Sequence, residues 1–131
     1  MESMFQFTNP SLTKVEFSIN ERFQNSNDKE VNIKINMTVS INRREGCNQA
    51  YVSLRVELGE KGDLTPYYII ATESANFRWN EDIAEEKVDK LLNQNAPSLL
   101  LSYVRPVISQ LTGASPFEAF NIPFMNFTNR V

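Results

Sequence analysis

Residues 31–42 read Val-Asn-Ile-Lys-Ile-Asn-Met-Thr-Val-Ser-Ile-Asn. Every odd position from Val31 to Ile41 is apolar, and every even position from Asn32 to Asn42 is polar. Successive side chains of a β-strand point to opposite faces, so this stretch makes one apolar face and one wet face. A helix would scatter the same residues around its circumference. The stretch is therefore a strand covered on one side, as found in antiparallel sheets that pack a layer on a single face.

The same period continues outward in both directions. Upstream, Val15, Phe17 and Ile19 alternate with Glu16, Ser18 and Asn20, which predicts a first strand, and the polar run Asn25–Asp28 reads as a loop. Downstream, a turn around Arg43–Asn48 contains Glu45-Gly46. Then Ala50, Val52, Leu54, Val56 and Leu58 oppose Tyr51, Ser53, Arg55 and Glu57. Gly59 to Pro66 is the next turn. Tyr67 to Trp79 is a less regular fourth strand, with a bulge or bend expected at Ser74-Ala75-Asn76. Parallel neighbours need crossovers of about a dozen residues or more, so the connections point to a four-stranded antiparallel meander. In this register Ile33, Ile35, Val39, Val52, Leu54 and Val56 share the covered face.

After Trp79 the period becomes helical. Asn80 is expected to cap a helix whose first turn holds Glu81 and Asp82, with Ala84, Val88, Leu91 and Leu92 on one face. Asn95 is expected to cap a second helix with Pro97 near its start. Leu100, Val104, Ile108 and Leu111 form its apolar stripe, widened by Leu101 and Val107. Pro106 lacks the N–H that would bond the Ser102 carbonyl and should kink or locally open this helix, and Gly113 ends it. The expected fold class is α+β. One domain spans 1–131, with strands within 12–79, helices within 81–112 packed on one sheet face, and an apolar loop at 115–131.

Composition narrows the function. The chain has 131 residues, 41% hydrophobic and 22% charged, which suits one globular domain with a real core. Thirteen basic residues against sixteen acidic ones give a net charge of −3, so nucleic acid is not an expected partner. Histidine is absent, which removes Ser-His-Asp and Cys-His catalysis and the usual zinc ligand sets. The lone Cys47, beside Arg43 and Arg44, forms no internal disulfide and reads as a surface thiol. Glu81, Asp82, Glu85 and Glu86 read as a solvated helix start, and Gly59, Gly62 and Gly113 lack the spacing of a phosphate-binding loop. No enzyme activity, metal or cofactor is expected. The start, MESMFQFTNP, is not a secretory signal, and apolar runs are too short to span a bilayer, so a cytoplasmic location is expected.

The C-terminal stretch is the unusual part. Phe117, Phe120, Ile122, Phe124, Met125 and Phe127 crowd a segment that Pro116 and Pro123 keep out of a continuous helix. These side chains either pack back as core or line an oligomer interface or apolar groove. The residues by themselves support an oligomeric α+β binding protein. Its expected contact surfaces are the first strand, through Val15 and Phe17, and the stripe through Leu100, Val104 and Ile108, part of which must serve the chain's own core.

The run from Asn95 to Ser109, Asn-Ala-Pro-Ser-Leu-Leu-Leu-Ser-Tyr-Val-Arg-Pro-Val-Ile-Ser, resembles the signature of the SecB protein-export chaperones. In that family a Pro-initiated helix carries Tyr-x-Arg and then Ile-Ser or Ile-Thr. The following Ser115-Pro116-Phe117, and Pro123 to Phe127, resemble the family's Pro-x-x-Asn-Phe loop. The resemblance implies a tetramer built as a dimer of dimers, and an ATP-independent holdase that grips unfolded or precursor polypeptides in apolar grooves, with the C-terminal aromatics forming part of them. It also implies delivery to the SecA motor in protein export. The family's acidic SecA-docking positions fall at Lys14, Ser18 and Ile70, none of them acidic, and the chain ends before the family's C-terminal helix, so SecA coupling is not expected here. The alternative is a dedicated SecB-like adaptor for one partner, such as a toxin–antitoxin component.

Overall fold

The computed structural model describes residues 3–23, 32–62 and 64–128. The alternating stretch forms a strand there, while Val31 and the loop expected at Asn25–Asp28 lie outside the described residues. The strands are β1 (Phe5–Phe7), β2 (Ser11–Ile19), β3 (Ile35–Arg43), β4 (Gln49–Gly59) and β5 (Tyr67–Trp79). Helical structure follows as α1 (Glu85–Lys90), a π-helical turn at Leu91–Asn95, and α2 (Ala96–Gly113).

β3, β4 and β5 form the expected antiparallel meander, with unbroken register across both pairs. The first long strand, β2, pairs with β5 and not with β3, so it joins the sheet at the far edge. The physical reason is chain length. Residues 20–34 separate β2 from β3, too many for a tight hairpin and enough to cross the sheet, as in a Greek key. A fifth strand absent from the sequence reading, β1, uses the end of β5 that β2 leaves free, pairing Phe5 with Trp79 and Phe7 with Phe77. The irregularity expected at Ser74–Asn76 falls instead on the partner strand. The register between β2 and β5 shifts between Leu12 and Lys14, and the Thr13 hydroxyl sits 2.9 Å from Ser74 Oγ.

Register puts Val39, Leu54, Glu73 and Leu12 in one row across the sheet, and Met37, Val56, Ala71 and Val15 in the next. This is the covered face. Val52, Leu54 and Val56 are fully buried, and Ile33, Ile35 and Val39 pack against them from the β3 edge. Lys34 and Asn36 fall on the exposed side. At the end of β4 the chain turns through Gly59 at φ +73°, where a Cβ would collide with the Tyr67 carbonyl oxygen.

The two expected capped helices are one continuous helical run. Asn80 closes a turn by accepting the Ile83 N–H at 3.2 Å, and the helix starts only after Ala84. Asn95 is itself helical, at φ −76° and ψ −42°, so it is not a cap. Pro97 removes the donor that would close onto the preceding turn. The wider π turn answers this locally, with the Ala96 N–H reaching back to the Leu91 carbonyl. Pro106 is exposed, and α2 runs through it without interruption. Arg43 grips the start of α1, with bidentate bonds of 2.9 and 3.2 Å to Glu85, and it lies 5.2 Å above the Trp79 ring. Part of the acidic run thus fastens the helix to the sheet.

Leu100, Val104 and Ile108 are each 0% exposed within the single chain. The stripe expected to join copies is instead the layer that α2 lays on its own sheet. Each such side chain is worth about 1.5–3 kcal/mol when fully buried.

Candidate functional site

Beyond Gly113 the chain turns and runs back along α2 without regular secondary structure. Three side chains tether it. The Phe120 N–H donates to Thr112 Oγ1 at 2.7 Å, while that fully buried hydroxyl donates to the Ile108 carbonyl at 2.8 Å. The Arg105 Nε–H donates to the Ile122 carbonyl at 3.1 Å, and Gln94 Nε2 donates to the Thr128 carbonyl at 3.1 Å. Partners 112, 105 and 94 meet 120, 122 and 128 in reverse order, so the segment lies antiparallel to the helix.

These tethers divide the six apolar residues of the segment. Ile122 and Phe127 are buried members of the core, a correction to their expected place in a groove. The bond from Arg105 draws the backbone at Ile122 onto the helix and its side chain inward with it. Phe117, Phe120 and Met125 are partly buried, and the Phe117 ring meets Phe23 edge-on at 5.7 Å between centroids. Phe124 is 92% exposed, the most open of the large apolar side chains among the described residues.

Phe124 and Met125 form one wall of a cleft of about 120 Å³ whose other wall is Ser98, Leu101, Ser102 and Arg105 of α2. A second, more open cleft of about 350 Å³ continues along the same seam between Ser102, Arg105, Pro106 and Ser109 of the helix and Asn121 and Ile122. Ser102 and Arg105 line both, so the seam is one groove crossed at Arg105. The helix side of this groove was not singled out from the sequence. Its signal is the spacing of Ser98, Ser102, Arg105 and Ser109, a helical row flanking the apolar stripe. The two inner hydroxyls already donate to the helix backbone, Ser98 to Gln94 at 2.9 Å and Ser102 to Leu99 at 2.5 Å.

A second apolar surface lies at the β2 edge. Val15 is 46% exposed, and Leu12 and Phe7 are similarly open beside it on the helix side of the sheet, while Phe17 is partly buried against the core. In the same rows sits Glu73, 5% exposed, with Oε2 lacking a hydrogen-bond partner. Its burial holds the carboxyl above the usual range. Lys14, Ser18 and Ile70 lie on the opposite sheet face, where their rows also hold Glu16, Glu57 and Tyr68. Among the described residues no group of three His, Cys, Asp or Glu side chains comes together as metal ligands would, and no helix is long and apolar enough to cross a membrane.

Comparison with known proteins meets this architecture over nearly the whole chain. The family model described as preprotein translocase subunit SecB matches residues 3–129. The chain belongs to the SecB family. This SecB-family chain is 26% identical over 123 residues to the uncharacterized protein MJ0357 of Methanocaldococcus jannaschii, a match covering 92% of this chain and 78% of that protein. Among solved structures it matches the Mycobacterium tuberculosis Rv1957 SecB-like chaperone, determined in complex with a ChAD peptide from the Rv1956 HigA1 antitoxin. The TM-score is 0.74 at 13% identity, over 93% of this chain and 91% of that one. The antiparallel sheet followed by a packed helix is therefore the SecB-like fold.

Proposed function

We propose that this SecB-family chain is an ATP-independent holdase that binds unfolded polypeptide along the groove between α2 and the C-terminal segment. The observation that carries the reading is Phe124, almost fully exposed at the lip of a cleft that Met125 and Leu101 continue inward. An apolar ring left in water is unfavourable unless a partner covers it, and a groove with few directional donors suits varied apolar segments. The working form of the protein is a homo-oligomer, a dimer pairing into a tetramer in the cytoplasm. The open strip around Val15 at the β2 edge supports contact between copies there.

A second reading is a dedicated adaptor for one client. Two observations favour it: the solved neighbour of the same fold holds a peptide from an antitoxin, and Lys14, Ser18 and Ile70 present no acid for coupling to an export motor.

Replacing Phe124 and Met125 together by serine tests the groove. Removing an apolar contact worth about 1.5–3 kcal/mol should weaken capture of an unfolded protein at least about tenfold. The circular dichroism of the chain should stay unchanged, because Phe124 is almost fully exposed and Met125 only partly buried at the edge of the core. Full suppression of aggregation by the folded double variant would contradict the assignment.

A further inference from the structure

We infer that the exposed face of the sheet, on the far side from α2 and the groove, docks an acidic segment of a partner protein. The inference goes beyond the polypeptide-holding reading and does not depend on it. Register stacks this face in rows across the strands. The rows through Thr72, Ser74, Asn76 and Arg78 of β5 draw hydroxyl, amide and basic side chains from the neighbouring strands, and no Asp or Glu. Lys14 and Arg55 stand on either side of Thr72, and Arg78 lies opposite Gln49. Arg44 completes the set, its backbone N–H donating to the Gln49 carbonyl at 3.1 Å. Lys14, Arg44 and Arg78 are exposed, and among the described residues none of them makes an ion pair, while Arg55 shares the Glu57 carboxylate at 3.2 Å. A chain of net charge −3 thus keeps these rows free of acids and leaves their exposed cations uncompensated.

Two clefts open at the Arg78 end. One, of about 260 Å³, has Arg44, Gln49, Tyr51 and Asn76 in its wall, and the other, of about 310 Å³, has Arg78, Gln6 and Asn80. Neither wall contains a carboxylate. Guanidinium forks match carboxylates, and the amides beside them supply further donors. From the Lys14 row to the Arg78 row the sheet extends about 20 Å, the length of about six extended residues. The acid-free area ends at the next row, where Glu16 and Glu57 flank Ile70. A long phosphodiester chain crossing the sheet would meet those carboxylates and find few cations from which to release counterions, so a short acidic polypeptide segment is the better match. Groove and face lie on opposite sides of the sheet, so both can be filled at once.

The test is binding of a fluorescein-labelled Gly-Asp-Glu-Asp-Glu-Asp-Glu-Gly peptide with a blocked C-terminus, which gives the apolar groove nothing to grip. It is compared with its Asn/Gln twin and with a labelled thymidine dodecanucleotide. At low salt the full wild-type chain should bind the acidic peptide at least about tenfold more tightly than the twin, with the advantage shrinking as salt rises. Lys14→Gln, Arg44→Gln and Arg78→Gln together should bring the ratio to about one, with circular dichroism and oligomer mass unchanged because all three side chains are exposed. Arg78→Gln alone should lower the ratio about threefold. The groove variant with serine at 124 and 125 should keep the full ratio. Equal binding of both peptides by the wild-type chain, or a ratio that survives the triple substitution, would overturn the inference. So would loss of the ratio in the groove variant, which would place the peptide in the groove. Binding of the dodecanucleotide as tightly as the acidic peptide would assign the face to phosphate and overturn it too. A changed oligomer mass in the triple variant would make the face a contact between copies, with the same result.

Discussion

Truncating Leu100 to alanine is expected to destabilise the folded chain by about 2–5 kcal/mol. Leu100 is 0% exposed within one chain and belongs to the same cluster as Leu54, Val56, Val104 and Ile108. Alanine removes both the transferred apolar surface and the atoms filling the space between helix and sheet, and the strands on either side cannot collapse to close it. Against a total stability of about 5–15 kcal/mol for a typical domain this is a large fraction. Denaturant midpoints of variant and wild type should differ by the same amount at every protein concentration. If Leu100 instead joined copies, the difference would change with concentration, and a loss under about 1 kcal/mol would contradict its place in the core.

Glu73→Gln is expected to act in the opposite direction and to depend on pH. The carboxyl lies on the apolar face between Leu54 and Leu12, with Oε2 unpartnered. Burial raises its pKa above the ordinary 4.5. Between 4.5 and the folded-state value the folded chain keeps a proton that the unfolded chain has released. Stability from this group is therefore fully present below 4.5 and is lost as pH rises through the folded pKa. Glutamine cannot ionise, so at neutral pH the variant should be the more stable by about 1–3 kcal/mol, with the gap closing in acid. Glu57 and Glu85 work in the other sense. The Tyr68 hydroxyl bond, chiefly, lowers Glu57, and the Arg43 bond lowers Glu85, so their contributions fade as pH falls. Both proteins share those groups, and the difference between their urea midpoints across pH isolates Glu73. A constant difference at all pH values would contradict the buried, unpartnered carboxylate.

What the sequence disclosed and what it hid follow from what each pattern encodes. Alternation from Ile33 to Ile41 and from Ala50 to Leu58 declares which face of a strand is covered, and the structure has that face as read. Alternation does not declare which strand is the neighbour, so the pairing of β2 with β5 was out of reach, as was β1 with its three residues. Ser74-Ala75-Asn76 suggests a bend, yet β5 keeps an unbroken register with β4 there, and Glu73 holds an apolar register position between Ala71 and Ala75. Pro97 signalled a helix start correctly in chemistry, but a π turn absorbed it. The density of Phe and Met after Ser115 pointed to the right segment. Which of those side chains turn inward depends on the bonds from Thr112 and Arg105, and no periodicity records them.

The central claim, that this chain holds non-native polypeptide without nucleotide, is tested most directly by native mass spectrometry of the full chain mixed with reduced, carboxymethylated lactalbumin, which cannot refold, and with the same protein in its native disulfide-bonded form. The account predicts a complex of chaperone oligomer plus one unfolded chain in the first mixture, without added ATP, and none in the second. Free components only, in both mixtures, would contradict it.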